Sequence, residues 1–160
     1  MCIRDRDDNE LLSLTDFSGK IVMDIGAGTG KLAFVAAKVA KIVYGVEPVD
    51  SLRWYMRSKA KALNLDNFYA VDGLIEKIPF GSDYADIVVG GHVFGDFPDI
   101  EYAELERVVK NAGMIILCPG NNDEDNDRHR FLVDKGFSWS VFEEPEDGMK
   151  RKYWKTISKF

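Results

Sequence analysis

Short apolar runs alternate with longer amphipathic segments along most of this 160-residue chain. Strands are predicted where mostly apolar runs are bounded by turn-forming residues, over 21–25, 42–46, 68–71, 85–89 and 114–118. Apolar residues recur with helical spacing over 32–39, and further helices are predicted over 51–63, 98–109 and 125–135, with Asn111–Gly113 ending the third. Residues 10–17 are long enough for one or two helical turns.

Strands that alternate with helices predict an α/β fold, a doubly wound parallel sheet with right-handed crossovers. Two more strand-like segments follow, residues 137–143 and 151–158, separated by a Glu-Asp-Gly turn at 146–148. Such a turn between two strands favours antiparallel pairing. We therefore expect a seven-stranded, mostly parallel sheet in a three-layer α/β/α arrangement.

Composition and charge narrow the class of protein. A length of 160 residues suits one domain with its own core, and a formal net charge of −6 argues against a protein that tracks nucleic-acid phosphates. Cys2 and Cys118 lie far apart without metal-ligand spacing, which predicts a reduced cytoplasmic protein with no metal site. No apolar run reaches the length of a membrane span, so no membrane partner is expected.

The first ten residues are nearly all polar and follow no period. The stretch Met1–Arg6 resembles translated sequencing-adapter sequence. We expect residues 1–19 to be a short segment whose natural beginning is truncated or altered, and residues 20–160 to form a single domain.

The first predicted strand leads into a glycine-rich turn. Asp24 lies near the end of the strand, and Gly26, Gly28 and Gly30 follow at alternate positions before the predicted helix. Glycines permit positive φ angles and let a ligand approach the backbone, while the amides that start a helix suit polar or negative groups. The turn indicates a ligand site, because three glycines cost backbone entropy that a plain connection does not require.

Three ligand classes use such a turn. A P-loop is excluded, since Ile25 stands five positions before Gly30 and Leu32 stands where Ser or Thr is needed. A dinucleotide fingerprint is weakened but stays open in the register from Gly28 to Ala33. The third pattern, an acidic residue, one spacer and Gly-x-Gly-x-Gly, matches at every position.

This third pattern resembles motif I of the class I S-adenosylmethionine (SAM) dependent methyltransferases. Residues 72–88 resemble a second signature of that family, in which Leu-Pro-Phe leads through a turn to Phe-Asp-Leu-Val, and NAD enzymes do not carry it. The resemblance, in particular to the type 11 group, covers residues 20–158. It implies the strand order 3-2-1-4-5-7-6 with the seventh strand antiparallel, SAM as cofactor and S-adenosylhomocysteine (SAH) as its product.

The resemblance also assigns the cofactor-binding residues. Glu47, which ends the second strand, matches the carboxylate that accepts hydrogen bonds from the ribose diol, and Asp72 matches the one that meets the adenine amino group. Asp24 is assigned to the surroundings of the methionine part rather than to catalysis. The predicted cofactor-binding residues are Asp24, Gly26, Ala27, Gly28, Gly30, Glu47, Pro48, Leu52, Asp72, Gly73, Leu74 and Gly90.

Methyl transfer is an in-line displacement that geometry alone can accelerate, so a catalytic residue need not exist. The loop after the fourth strand lacks the Asn/Asp-Pro-Pro-Tyr/Phe motif with which relatives methylate nucleobase or glutamine amide nitrogens. His92 is the catalytic candidate, as a base or an orienting hydrogen-bond partner, and Asp96 either pairs with it or holds a cationic acceptor. The alternative is a loop histidine that packs or touches the cofactor. Phe94 and Phe97 either wall the acceptor pocket or pack against a helix.

Structural interpretations that involve no binding are available for two charged stretches and for the second histidine. The acidic residues at 123–127 either stabilise a helix start or form a negative mouth for a cationic amine. Lys150, Arg151 and Lys152 either meet nucleic acid or, more simply, belong to the solvated face of the last strand. His129 is expected to be exposed on its helix.

We therefore expect a SAM-dependent methyltransferase that acts on a small molecule, because no recognition domain is appended. Three alternatives stay open: a SAM-binding regulatory or partner subunit without activity, an NAD-binding oxidoreductase, and a protein or RNA methyltransferase. The short N-terminal segment allows three expectations for the acceptor site: it is open, it is covered by a second copy of the chain or by a partner chain, or the segment that would cover it is missing from this sequence.

Overall fold

A seven-stranded sheet with helices on both faces organises the chain. The structure, a computed structural model, describes residues 9–119, 124–144 and 148–160. The strands are β1 (Ile21–Ile25), β2 (Ile42–Val46), β3 (Phe68–Val71), β4 (Ala85–Gly90), β5 (Val109–Leu117), β6 (Ser138–Glu144) and β7 (Gly148–Thr156). The helices are α1 (Lys31–Ala37), α2 (Asp50–Ala62), α3 (Pro98–Val108) and α4 (Asp127–Asp134). The strand order β3-β2-β1-β4-β5-β7-β6 confirms the prediction.

The central strands run parallel and end at the same level. Ile25, the last residue of β1, lies opposite Val46 of β2 and Gly90 of β4, which are the last residues of those strands. The carboxyl ends of β1, β2 and β4 therefore meet at one edge, where the strand order reverses. Open α/β sheets bind ligands at such a switch point.

Strand β7 runs antiparallel to both β5 and β6, which confirms the predicted terminal hairpin. Leu117, the last residue of β5, pairs with Tyr153. Residues 148–152 therefore extend past the end of β5, at the edge where the parallel strands also end. Of the turn predicted at 146–148, only Gly148 lies within the described residues.

An apolar core covers each face of the sheet. One core includes Leu105 of α3 and Leu132 of α4, and the other includes Phe34 of α1, Met56 of α2 and Leu11 of a helical turn at residues 9–12. The apolar runs in the sequence follow from this arrangement, because the central strands are buried on both faces.

The junction between α3 and β5 differs from the prediction. The sequence predicts a helix through Val109 and a turn at Asn111–Gly113, whereas β5 begins at Val109 directly after α3. The Ala112 amide donates to the Ile157 carbonyl at 2.7 Å, and the Ile157 amide donates to the Gly113 carbonyl at 2.8 Å. Pairing with the C-terminal segment draws these turn-forming residues into the sheet, and local composition does not report such a long-range contact.

The first eight residues of the predicted N-terminal segment 1–19 lie outside the described residues, which begin at residue 9. The truncated or altered beginning of this segment stays a prediction. Within the described ranges, no helix combines the length and the apolar character needed to cross a membrane.

Candidate functional site

A cavity of about 520 Å³ lies at the edge where the parallel strands end. Seven of the predicted site residues line it: Asp24, Gly26, Ala27, Gly28, Glu47, Pro48 and His92. The other seven lie outside its lining: Gly30, Leu52, Asp72, Gly73, Leu74, Gly90 and Asp96. The structure thus brings the glycine turn, the end of β2 and the loop after β4 together around one space.

The glycine turn is anchored to the end of β2. The amides of Gly26 and Ala27 both donate to the Val46 carbonyl, at 2.8 and 3.0 Å. A Cβ on Gly26 would lie 2.6 Å from the Val93 side chain, so packing requires glycine there. Gly28 has a φ of +60° and no heavy atom within 4 Å of the Cβ position, so this glycine leaves open space on the cavity side.

Asp24 is a buried carboxyl group, and only one of its two oxygens has a hydrogen-bond partner among the described residues. Its side chain is 1% exposed, and Oδ2 accepts a hydrogen bond of 3.0 Å from the Ala33 amide. Oδ1 has no hydrogen-bond partner among the described residues. The pKa of Asp24 is raised to about 7, mainly by burial; the hydrogen bond from the Ala33 amide lowers it in part, and the negative charge of Glu47 adds to the rise. A buried oxygen in the cavity wall is suited to a cationic hydrogen-bond donor.

Glu47 joins the end of β2 to the glycine turn. Its Oε1 accepts from the Gly28 amide at 2.8 Å, and its Oε2 accepts from the Val49 amide at 3.0 Å. The residue is buried despite its charge. The sequence indicates a carboxylate at this position but not its contact with Gly28, because the two residues are 19 positions apart.

The residues predicted to meet adenine lie beside the cavity rather than in its wall. Asp72 directly follows β3, is largely exposed and pairs with Arg53 at 3.4 Å. Arg53 also donates to the Glu47 and Pro48 carbonyls at 2.9 and 2.8 Å. Sequence reasoning missed Arg53, which ties the ends of β2 and β3 together. Its place in the first turn of α2, three residues after Asp50, is the signal that could have indicated it.

The three glycines among the remaining predicted residues pack closely against neighbouring side chains. Gly73 packs closely, since a Cβ there would lie 2.7 Å from Pro79, and Gly90 would meet Leu117 at 3.1 Å. Leu74 is exposed, Leu52 is half-buried on α2, and a Cβ on Gly30 would collide with the Phe34 ring at 2.5 Å.

The loop after β4 presents His92 to the cavity. His92 is exposed and lines the cavity, whereas Asp96 is exposed and does not. Within the described part of the chain, no hydrogen bond or ion pair joins the two side chains. The loop is held by the buried Glu101 of α3, whose carboxylate accepts from the Gly95 and Phe97 amides at 2.8 and 3.0 Å. Sequence reasoning missed Glu101, which is an acidic residue in the first turn of a helix.

The two loop phenylalanines do not line the cavity. Phe94 is buried against Phe131, with ring centroids 5.9 Å apart, and Phe97 is exposed. Of the two interpretations left open for Phe94, packing against a helix is the observed one.

The cations of β7 are buried, and the expectation of a solvated face is wrong. Lys150, Arg151 and Lys152 are 9%, 6% and 8% exposed and line the cavity. They lie on the part of β7 that extends past β5. The helical turn at residues 9–12 contacts Lys152, whose ammonium donates to the Glu10 carbonyl at 3.0 Å. The burial of Lys152 thus involves a segment 142 positions away in the sequence.

His129 is also buried rather than exposed, which corrects the second expectation. Its Nδ1 lies 2.8 Å from an Arg151 Nη atom and 2.9 Å from the Tyr153 hydroxyl. A guanidinium can only donate, so Nδ1 is the acceptor of the Arg151 hydrogen bond. The other ring nitrogen of His129 is Nε2. That atom lies 3.5 Å from Asp125 Oδ1. His129 thus helps to position the Arg151 guanidinium by accepting a hydrogen bond from it. His129 itself does not line the cavity.

The described acidic residues of the segment 123–127 do not form a cavity mouth. Asp125 pairs with Arg151 at 2.9 Å and Asp127 with Arg130 at 2.6 Å, and neither lines the cavity. Asp127 lies in the first turn of α4, which fits the stabilisation of a helix start. Residues 120–123 lie outside the described residues.

Comparison with known proteins identifies a matching family and a relative that covers most of this chain. The sequence profile of a family described as "Methyltransferase domain" matches residues 23–117. An uncharacterized methyltransferase from Geobacillus thermodenitrificans is 25% identical over 154 residues, which cover 94% of this chain and 69% of that protein. This chain spans about half the length of three further relatives that carry the same description.

Solved structures share the fold. A SAM-dependent methyltransferase from Aquifex aeolicus superposes with a TM-score of 0.73 at 19% identity, covering 94% of this chain and 90% of that one. The [4+2]-cyclase SpnF superposes with a TM-score of 0.81 at 13% identity, covering 98% of this chain and 82% of that one. At these identities the likeness concerns the fold alone.

Proposed function

This chain belongs to the methyltransferase domain family, and we propose that it transfers a methyl group from SAM to a small-molecule acceptor. The observation that carries the proposal is the meeting of Asp24, Gly28 and Glu47 around one cavity at the switch point of the sheet. A buried carboxyl group, an open glycine and a strand-end carboxylate are the groups that an adenosyl amino acid requires.

The residues present fit this cofactor. Asp24 Oδ1, buried and without a partner among the described residues, suits the cationic ammonium of SAM. Gly28 leaves space for a close approach to the backbone. Each carboxylate oxygen of Glu47 accepts one amide hydrogen bond and retains a lone pair, with which it can accept a ribose hydroxyl.

When bound, SAM supplies a methyl group on a positively charged sulfur. The protein's contribution is to hold the two reactants in line and to exclude water, since orientation supplies much of the acceleration in such a displacement. His92 lines the cavity on the loop after β4 and is the group that would orient the acceptor or take the proton it loses. An acceptor that needs no deprotonation would need no base.

A small molecule is favoured by the shape of the site. The lining is concave and combines apolar side chains with a few convergent polar groups, which is typical of small-molecule sites. The helical turn at residues 9–12 contributes Glu10 and Leu11 to this lining and narrows the approach.

A second candidate function follows from SpnF, a [4+2]-cyclase with this fold, because the fold therefore also serves other chemistry. In this alternative, the chain binds SAM or SAH without transferring a methyl group. The two functions differ in whether a methylated product forms.

The first experiment is calorimetric titration of the purified chain with SAM, SAH and NAD in parallel. We expect micromolar binding of SAM and SAH and none of NAD, with Asp66→Ala, an exposed carboxylate in the turn after α2, as a variant that binds normally. Binding of NAD alone would exclude the proposal. Incubation with methyl-labelled SAM and a panel of small molecules then separates the candidates, since a protein that only binds SAM leaves no label on any acceptor.

A further inference from the structure

Three consecutive cations of β7 form one part of the cavity lining. We call Lys150, Arg151 and Lys152 the basic wall. They lie past the end of β5, since Leu117 pairs with Tyr153, and therefore reach the edge at which β1 and β4 end. All three are at least nine-tenths buried and line the same cavity as Asp24 and Glu47.

The basic wall is held in place by its neighbours. Arg151 donates to Asp125 Oδ1 at 2.9 Å and to His129 Nδ1 at 2.8 Å, and its guanidinium lies 4.5 Å from the centre of the Trp139 ring. Lys152 contacts both the carbonyl and the carboxylate of Glu10. These contacts fix the direction of the Arg151 and Lys152 side chains, so this part of the wall is preorganised rather than assembled on binding.

Burying three adjacent cations is costly, because each loses hydration and repels the next. Asp125 and Glu10 offset part of this cost for Arg151 and Lys152, but their carboxylates are 68% and 36% exposed, so solvent screens their negative charge. Apolar side chains at this end of β7 could pack against the helical turn at residues 9–12 with a lower desolvation cost. Positive charge in a partly dehydrated cavity attracts an oxyanion more strongly than the same charge on an open surface. The arrangement is therefore suited to an anionic group inside the cavity.

We propose that the basic wall binds an oxyanion of the methyl acceptor, a carboxylate or a phosphate, and so selects acidic acceptors over amines. The inference rests on the proposed function, since the acceptor is defined by it. Apolar side chains beside the wall, Leu11, Leu14, Ile116 and Phe142, complete the cavity and suit an acceptor with an apolar body.

The test uses calorimetry on the chain loaded with SAH. The probes are monocarboxylates from acetate to 4-phenylbutyrate, each compared with its neutral amide, and phenyl phosphate compared with phenol. We expect at least one anion to bind about tenfold more tightly than its neutral partner, as charge-assisted hydrogen bonds permit. Equal binding of anions and neutral partners, or no binding of any anion, would overturn the proposal.

Charge variants assign the preference to the wall. Lys150→Gln and Lys152→Gln should each reduce it severalfold, while Lys150→Arg should retain it. Glu10→Gln should increase it, because Lys152 then loses a competing carboxylate. Lys61→Gln, an exposed lysine on α2, is the matched control and should leave the preference unchanged. Thermal melting of each variant separates a binding effect from misfolding, and a preference that survives both glutamine variants contradicts the proposal.

A separate arm distinguishes the acceptor from the cofactor's own carboxylate. The chain without ligand is titrated with SAH and with 5′-methylthioadenosine, which lacks the amino acid part. If the glutamine variants weaken SAH but not methylthioadenosine, the wall serves the cofactor and the proposal is wrong. If the unaltered chain does not bind SAH at all, the proposed function fails, while titration of the anion panel without SAH still tests the wall.

Discussion

The Glu47 carboxylate accepts a hydrogen bond of 2.8 Å from the Gly28 amide, across the gap between β2 and the glycine turn. A second amide, that of Val49, occupies the other oxygen at 3.0 Å. The carboxylate is therefore oriented before any ligand binds. Preorganisation of this kind reduces the entropy that a ligand must otherwise overcome.

Removing this carboxylate should affect binding and stability together. In Glu47→Ala, the affinity for SAH should fall by about tenfold or more, because the proposed acceptor for the ribose hydroxyls is lost. The melting temperature should also fall, since two backbone amides lose their partner. Calorimetry and thermal melting measure the two effects. Asp66→Ala is the control, and unchanged SAH affinity in Glu47→Ala would contradict the assigned role.

The buried carboxyl group of Asp24 should make stability depend on pH. Its pKa is raised from 3.8 to about 7 in the folded chain, so the folded state keeps a proton that the unfolded state has lost. The stabilising contribution is therefore fully present below pH 3.8 and is lost as the pH rises to about 7, with a total of about 4 kcal/mol. Chemical denaturation between pH 5 and 8 should show this loss in the unaltered chain but not in Asp24→Asn. Asp66→Asn should behave like the unaltered chain.

The same group should release a proton when the cofactor binds. An ammonium next to Asp24 favours the ionised carboxylate and lowers its pKa. At pH 6.5, calorimetry of SAH in phosphate and in Bis-Tris should report a release of about half a proton or more, and at pH 8 almost none. Affinity should rise with pH up to about 7. Heats that do not depend on the buffer at pH 6.5 would refute an ammonium at Asp24.

Substituting three glycines with positive φ angles distinguishes backbone strain from side-chain packing and from the space needed by the ligand. Gly19→Ala and Gly28→Ala should each cost about 1 kcal/mol of backbone strain, since both φ angles are positive and neither Cβ meets an atom within 4 Å. Gly26→Ala should cost about 2 to 3 kcal/mol, because its Cβ also meets Val93 at 2.6 Å. Only Gly28→Ala combines a mild cost with loss of SAH affinity, because its methyl group takes up cavity space. Equal SAH affinity in Gly19→Ala and Gly28→Ala would contradict the open-glycine role.

The catalytic role of His92 is testable once an acceptor is known. If His92 acts as a base, His92→Ala should lower kcat about a hundredfold with little change in melting temperature, since the side chain is exposed. Asp96→Ala examines the predicted pairing, and an equal loss would indicate that the two side chains meet in the working complex. Full turnover in His92→Ala would leave catalysis to geometry alone.

Local patterns predict the parallel core well. All five parallel strands lie where the apolar runs indicate them, and the glycine turn follows β1 as expected, because both signals are contained in a few neighbouring residues. The predicted start of β5 is wrong. Ala112 and Gly113 have the composition of a turn, and they belong to the strand because they form hydrogen bonds with Ile157. Arg53 and Glu101 were missed for a related reason, as their importance comes from the backbone groups they hold.

The sequence by itself indicated the α/β fold, because the period of its apolar residues encodes strands and helices directly. The spacing of the acidic and glycine residues in the turn after β1 carried the resemblance to the family. Only the tertiary structure decided which charged groups are buried. His129 and the basic wall read as solvent-facing, yet both are covered by segments distant in the chain. Burial is set by what packs on top of a residue, and alternation along one strand reports only that strand's two faces.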